Sequence, residues 1–294
     1  MRGMAPLSQL LALVHGLDRF QQKHRVLAFP AAVYHELETK KASYISALLT
    51  FYAFVSLFPL LLILTTILGI VLRDNEHLQQ QLLNSALVDF PVIGDQLKNN
   101  IHGFGSSGLT LAIGIVTTAI GALGLANSAQ YAMNLLWGVP DEERPGFPKS
   151  WLRSFGIIAT IGLGVLSSTA LTTISEWAGG HAFTTGLRVA LLAASFVLTA
   201  LLFWLGMRLA TAPSIRTRDL RLGAILTTLF WQCLQYLGGV IAAHQLRHAS
   251  TLYGVFGLVL GLLAWIYLQA RLTLFAVTSD VVRAHHSWPR SLFD

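Results

Sequence analysis

Amide side chains inside apolar stretches are the residues of this sequence whose type and spacing best fit a chemical role. Two groups recur at helical spacing in separate stretches: Asn127, Gln130, Tyr131 and Asn134, and Gln232, Gln235 and Tyr236. At 1.5 Å per residue, Asn127 lies about 15 Å before the C-terminal end of its stretch, and Gln232 lies about 18 Å after the N-terminal end of its own. These two ends are predicted to lie on the same side of the protein. Amides at that depth must find hydrogen-bond partners or water.

Two roles fit these polar groups, and both stay open at this point. Hydrogen bonds among the amides would hold helices together, at about 0.6 to 2 kcal/mol each. Alternatively, two clusters at one depth would line a polar cavity that admits a substrate. The candidate cavity-lining residues are Ser56, Asn127, Gln130, Asn134, Gln232, Gln235, Tyr236 and Gln269. Pro59 follows Ser56 by one turn and predicts a helix kink there.

The residue patterns of known catalytic and metal sites do not occur in this sequence. The 10 histidines are scattered, and the pair His285–His286 has no carboxylate cluster nearby. Zinc-binding H-E-x-x-H spacing is missing, and the one cysteine, Cys233, cannot form an intrachain disulfide. Glu176 and Asp280 lie at the ends of apolar stretches, so ion coupling through a mid-membrane carboxylate is disfavoured. We predict no enzymatic activity, no metal and no cofactor.

Long apolar segments must position the amides. The chain is 54% hydrophobic and 12% charged, whereas soluble domains carry about 25% charged residues. Six segments reach the length of about 20 residues that spans a bilayer: Ser46–Leu72, Gly108–Trp137, Phe155–Ser175, Leu187–Met207, Leu220–Ala243 and Thr251–Thr278. The sequence therefore predicts an all-α polytopic membrane protein with six transmembrane helices.

The basic residues predict how the spans are oriented. Of the 20 Lys and Arg residues, 16 lie before the first span, in the second and fourth connections, or at the C-terminal end. Cytoplasmic connections carry the excess of basic residues, so both termini are predicted to be cytoplasmic. The formal net charge of +6 is distributed between apolar segments and not along a soluble face. This distribution argues against a nucleic-acid partner.

The segments outside the spans divide the chain further. Residues 1–45 are predicted to form an interfacial region of amphipathic helices, residues 46–278 the transmembrane domain, and residues 279–294 a cytoplasmic tail. A leucine stripe predicts a short helical extracytoplasmic cap at about residues 74–101, with two helices in Asn75–Asn100. Small residues at every fourth position, including Gly156, Thr160 and Gly164, predict close helix packing. Arg208 and Arg271 are expected to extend to the lipid headgroups.

Several motifs in order resemble one family. They are the aromatic-rich first span Ala47–Gly69 with its Leu-Phe-Pro, Leu136–Pro140 after the second span, Arg208–Pro213 and Arg218–Ala224 around the fourth connection, and Tyr253-Gly254 with Leu263–Leu268 in the last. The sequence is similar to the YihY/BrkB family of bacterial inner-membrane proteins over about residues 34–282, and its tail resembles actinobacterial members. One departure is Thr278, which stands where the family often has Glu.

This resemblance implies a location in the bacterial cytoplasmic (inner) membrane and little defined chemistry. Family members have been labelled ribonuclease BN, or associated with serum resistance and virulence or with envelope lipid export. No metal site or basic groove supports a nuclease here. We expect a transporter or exporter of an envelope component, with membrane lipids and a lipid-like or small-molecule substrate as partners. The alternative is a non-transporting membrane scaffold or regulator of envelope integrity; homo-oligomerisation is left open.

Overall fold

Helices account for almost all of the backbone that the structure describes. A computed structural model describes residues 25–71, 108–178, 185–245, 254–286 and 288. Within these ranges the chain forms seven α-helices and no strand: α1 (Arg25–Thr39), α2 (Ala42–Val71), α3 (Gly108–Leu136), α4 (Lys149–Ala178), α5 (Thr185–Ala210), α6 (Arg221–Gln245) and α7 (Gly254–Ala284). A short 3-10 helix, Asp141–Glu143, lies between α3 and α4. The all-α prediction is confirmed.

Each of the six predicted spans falls on one of the helices α2 to α7. The shortest of them, α6, has 25 residues, which corresponds to about 37 Å, longer than the hydrocarbon core of about 30 Å. Among the described residues, Val189–Ala210 and Val259–Ala284 have the length and hydropathy of membrane spans, and Ala42–Leu57 is a shorter apolar helix. The number of helices that cross the bilayer stays a prediction.

The six long helices form a closed ring in chain order. Each helix from α2 to α6 packs against the next one, and α7 returns to pack against α2. The helix α3 also contacts α5 and α7, so it has the most neighbours in the bundle. The helix α6, in contrast, packs mainly against α5 and α7. The two groups of amides on α3 and α6 therefore belong to different parts of the ring.

Among the side chains that the structure describes, the main buried apolar cluster lies at one end of the ring, which we call the basal end. This end carries the connections 137–148 and 211–220, which the charge distribution predicts to be cytoplasmic. Its fully buried side chains include Leu136, Ala212, Leu220 and Val277. Apolar side chains on α5 such as Leu192 are instead exposed, as expected where a helix faces lipid.

Small residues permit the closest helix contacts. A Cβ added at Gly156 of α4 would lie 3.1 Å from Leu209 Cδ1 of α5, and one added at Gly206 of α5 would lie 3.9 Å from Thr160 Cγ2. The predicted packing role of this stripe is confirmed for its described part. On the other side of the ring, a Cβ at Gly121 of α3 would lie 2.7 Å from Ser56 Cβ of α2. Glycine is required there because the two backbones approach too closely for any side chain.

The helix α1 lies against the basal part of α7. Val33 packs with Val282, and the rings of Phe29 and Trp288 meet edge to face at 5.5 Å. Arg271 of α7 donates to Glu38 Oε1 at the end of α1 and, at 3.2 Å, to Ser43 Oγ. Arg271 thus pairs with a partly exposed carboxylate of the protein, and its extension to the headgroups stays a prediction. Residues 1–24 and the predicted cap Asn75–Asn100 lie outside the described residues.

Candidate functional site

Two of the predicted amides on α3 are bound to α4. Gln130 Nε2 donates to Ser154 Oγ at 2.8 Å and to the carbonyl of Ser150 at 3.2 Å. Ser154 Oγ in turn donates to Asn127 Oδ1 at 2.9 Å. Gln130 and Ser154 are buried, whereas Asn127 is exposed. Together these bonds form a continuous polar link between the two helices.

The third amide on α3, Asn134, holds the connection between α5 and α6. Its Oδ1 accepts the N–H of Ala212 at 2.8 Å, and its side chain is 3% exposed. The Ala212 N–H lies just beyond the C-terminal end of α5. The bond to Asn134 satisfies this donor, which would otherwise be buried without a partner. Asn134 therefore serves the basal core in this arrangement.

Ser56 on α2 is buried where α2 and α3 approach most closely. Its hydroxyl donates to the carbonyl of Ala53 in its own helix at 3.0 Å, and its Cβ faces Gly121. The side chain thus fills the contact between the helices. The helix α2 continues through Pro59 to Val71, but the side chain of Pro59 lies outside the described ones and the kink stays a prediction.

The amides on α6 and α7 lie at a common level. Two contacts fix how these antiparallel helices align: Gly223 N donates to Asp280 Oδ2 at 2.9 Å, and the rings of Phe230 and Phe275 are 6.2 Å apart. Continuing this alignment brings Gln235 and Gln269 to the same level, each about 17 Å from the Gly223–Asp280 contact. The sequence-predicted residues Gln235 and Gln269 therefore lie at a similar level of the two packed helices.

Gln269 contains a buried side-chain nitrogen at this level of the bundle. Its Nε2 is buried and makes no hydrogen bond to any part of the chain that the structure describes. The hydroxyl of Thr227 on α6, also buried, is in the same state. A buried donor without an acceptor costs about 1 to 3 kcal/mol, so such groups in native proteins call for a bound water or ligand.

The remaining candidates, Gln232 and Tyr236, lie on α6 and differ in exposure. Gln232 is half-buried one turn before Tyr236 on α6. Tyr236 itself is 75% exposed. The structure thus divides the predicted site into four parts: the bonded amides on α3, Ser56 at the α2–α3 contact, three half-buried amides on α6 and α7, and an outward-facing Tyr236.

Asp280 is a buried polar residue that sequence reasoning left at the end of a span. It is 0% exposed. Its Oδ2 accepts from Gly223, the third residue of α6, and its Oδ1 lies 3.6 Å from Arg283 Nη2. A carboxylate at a helix N-terminus is favoured by the unpaired N–H groups and the helix dipole. In the sequence, Gly223 was the one available indication of this contact, because a Cβ at that position would collide with Asp280 Oδ2.

Two arginines at the basal end also form part of the polar structure. Arg153 Nη1 donates to the carbonyl of Thr211 at 2.7 Å, and Arg208 Nη1 donates to the carbonyl of Ala212 at 3.3 Å. Burial, and then the charge of the neighbouring Arg208, lower the pKa of the Arg153 guanidinium. Both bonds satisfy carbonyls beyond the C-terminus of α5, where cations are favoured. For Arg208 the contact uses one donor of the guanidinium, and its extension to the lipid headgroups stays a prediction.

Most of the chain matches a known protein family. Residues 33–291 match the family described as Virulence factor BrkB. The chain belongs to this family. The resemblance to YihY/BrkB proteins is thereby confirmed over most of the sequence.

Two curated relatives place the chain among membrane proteins. It is 23% identical over 311 residues to the inner membrane protein YhjD of Escherichia coli strain K12, covering 97% of this chain and 89% of that protein. It is 27% identical over 243 residues to a UPF0761 membrane protein of Psychrobacter sp. strain PRwf-1, covering 79% of this chain. The match spans 44% of the Psychrobacter protein, less than half its length. No solved structure matches the chain.

Proposed function

We propose that this BrkB-family membrane protein moves a lipid-like envelope component across the bacterial inner membrane, along the contact between α6 and α7. The polar groups of the passage are Gln232, Gln235 and Gln269. Six membrane-spanning helices surround it, and both termini lie in the cytoplasm. The substrate presents a hydrogen-bond acceptor to the amide of Gln269 while its apolar part stays among the apolar side chains of the helices.

The buried Nε2 of Gln269 is the observation that carries this proposal. It lies at the level of Gln235, and it makes no hydrogen bond within the described residues. Leucine would fill a purely structural position there without the cost of a buried donor. An amide is useful at this position if α6 and α7 separate during a transport cycle and an acceptor enters between them.

The amides on α3 favour a second candidate function, that of a non-transporting scaffold or regulator of envelope integrity. Gln130 donates a hydrogen bond to α4, and Asn134 accepts one from the connection before α6. Bonds of this kind hold a bundle in one arrangement. If the α6–α7 amides have only the same role, the transport proposal fails and the scaffold takes its place.

Two leucine substitutions separate these functions. Gln269→Leu removes a donor that has no described acceptor, so the purified protein in nanodiscs should keep or raise its thermal unfolding midpoint. Gln130→Leu leaves Ser154 without its donor in a buried position and should lower stability by about 1 to 3 kcal/mol. Function is measured by complementation of an envelope-sensitivity phenotype in a strain that lacks the gene, normalised to the amount of folded protein.

Transport predicts that Gln269→Leu is stable but fails to complement, whereas Gln130→Leu complements in proportion to its folded fraction. A stable Gln269→Leu protein with full activity per folded molecule would exclude the proposed passage. Gln232→Leu provides a second measurement about one helical turn closer to the basal end, and this variant too should fail to complement.

A further inference from the structure

Arg153 of α4 and Arg208 of α5 form a pair of like charges at the basal end. Their Nη1 atoms donate to the successive carbonyls of Thr211 and Ala212, and both side chains are half-buried. These carbonyls carry only the partial negative charge of a helix end, about half an elementary charge. Two full positive charges therefore remain largely uncompensated at one place.

No carboxylate neutralises this pair among the residues that the structure describes. The ion pairs found there join Lys40 to Glu36, Arg144 to Asp141, Arg271 to Glu38 and Arg283 to Asp280. A guanidinium has five N–H donors, and one bond to the protein is found for each of the two arginines. Their other nitrogens are not among the buried atoms that lack a hydrogen bond, so these donors remain accessible.

The surroundings place the arginine pair at the level of lipid headgroups. Trp151, two residues before Arg153, stands between Phe147 and Phe155 in an exposed edge-to-face series with ring centroids 6.2 Å apart. Tryptophan is enriched at the boundary between membrane and water. Two residues of helix correspond to about 3 Å along the axis, so Arg153 lies close to that boundary.

An apolar stripe leads to the pair from the other side. Val197, Leu201 and Leu205 are exposed at four-residue spacing on α5, and Arg208 follows Leu205 by three residues. Residues three or four apart share one face of a helix. The face thus changes from apolar to cationic at its basal end, which matches an amphiphile with acyl chains and an anionic head.

We infer that Arg153 and Arg208 bind the phosphate of an anionic membrane lipid whose acyl chains lie along the Val197–Leu205 face of α5. Guanidinium groups bind phosphate through paired, charge-assisted hydrogen bonds. This site lies on α4 and α5, away from the α6–α7 contact. It requires that the chain lies in a membrane, and it does not depend on transport.

The test measures lipid binding to the full-length protein in a neutral detergent. Short-chain phosphatidylglycerol, short-chain phosphatidylcholine and inorganic phosphate are each titrated while the thermal unfolding midpoint is recorded. The variant Arg153→Gln/Arg208→Gln is compared with Arg216→Gln/Arg218→Gln, which removes the same charge from exposed positions of the neighbouring connection. Phosphatidylglycerol should raise the midpoint saturably, and its apparent affinity should fall at least about tenfold only in the first variant.

Each alternative result has a defined meaning. Equal losses of affinity in the two double variants would overturn the site and indicate a diffuse basic surface. Equal stabilisation by inorganic phosphate and phosphatidylglycerol would overturn the lipid as ligand and leave a free-anion site. If the glutamine variant does not fold, Arg153→Lys/Arg208→Lys replaces it, because lysine keeps both charges but loses the paired donors. Unchanged affinity in that variant would also overturn the inference.

Discussion

At the scale of single residues, the same side-chain type has different roles in different parts of the ring. Gln130 has two acceptors on α4 within hydrogen-bond distance. Gln269, with the same chemistry, has a buried Nε2 that makes no hydrogen bond within the described residues. The difference comes from the neighbours: α4 offers Gln130 the hydroxyl of Ser154 as an acceptor, whereas backbone carbonyls inside a helix are already bonded.

Gly223 provides a prediction at this scale. Its missing side chain lets the Asp280 carboxylate reach the first turn of α6. Gly223→Ala should therefore force the carboxylate away and lower the free energy of unfolding by about 1 to 3 kcal/mol. Gly162→Ala is the matched control, because Gly162 has nothing within 4 Å of its Cβ position. Thermal unfolding of the purified variants measures both effects.

The cause of that loss can be checked by a double-mutant cycle. In the Asp280→Ala background, the carboxylate that would collide with the new methyl group is gone. Gly223→Ala should therefore cost less in that background than it does in the parent protein. Identical costs in the two backgrounds would show that the destabilisation comes from the backbone of α6 and not from contact with Asp280.

At the scale of elements, α1 is attached to the bundle by a small apolar contact and one ion pair. Arg271→Gln removes the bonds to Glu38 and Ser43. Because Glu38 is partly exposed, global stability should change by no more than about 1 kcal/mol. Amide hydrogen exchange in α1 and in the first turn of α2 should nevertheless become faster, since a link between α7 and both segments is lost.

The control for α1 is Lys40→Gln. Lys40 pairs with Glu36 across one helical turn at 4.0 Å, a contact that links no second element. Exchange in α1 should stay near that of the parent protein in this variant. Unchanged exchange in Arg271→Gln as well would show that apolar contacts, such as those of Val33 and Leu37, are sufficient to hold α1 in place.

At the scale of the whole molecule, the main buried apolar cluster of the described residues lies at the basal end of the ring. Described basic residues such as Arg153 and Arg208 lie at the same end, and 16 of the 20 Lys and Arg residues occur in segments predicted to be cytoplasmic. A membrane protein of this kind should therefore present its rigid, charged end to the cytoplasm.

Cysteine labelling tests this orientation. In a Cys233→Ser parent, single cysteines at Ser214 and at Ser106 report on the basal connection and on the first predicted outer segment. A membrane-impermeant maleimide applied to intact cells should label Ser106→Cys and not Ser214→Cys, which should react only after permeabilisation. The reverse labelling would place both termini outside, and labelling of both sites in intact cells would mean that a span was assigned incorrectly.

The sequence by itself was sufficient to predict the all-helical fold and membrane class. Apolar segments longer than 20 residues have few alternatives, because unpaired backbone groups are too costly in lipid. The stripe at Gly156, Thr160 and Gly164 was likewise readable as a packing surface, since small residues at four-residue spacing permit close helix contact. These features depend on local spacing alone.

Only the tertiary structure decided which polar residues are bonded and which are not. Periodicity places Asn134 and Gln130 on a helix face, but it cannot show that Ala212, 78 positions away, supplies the partner of Asn134. Periodicity likewise could not reveal that Asp280 is buried against Gly223, or that Arg153 and Arg208 each donate to one of two neighbouring carbonyls. Hydrogen bonds between distant segments depend on how the helices pack together, and that arrangement is a property of the whole ring.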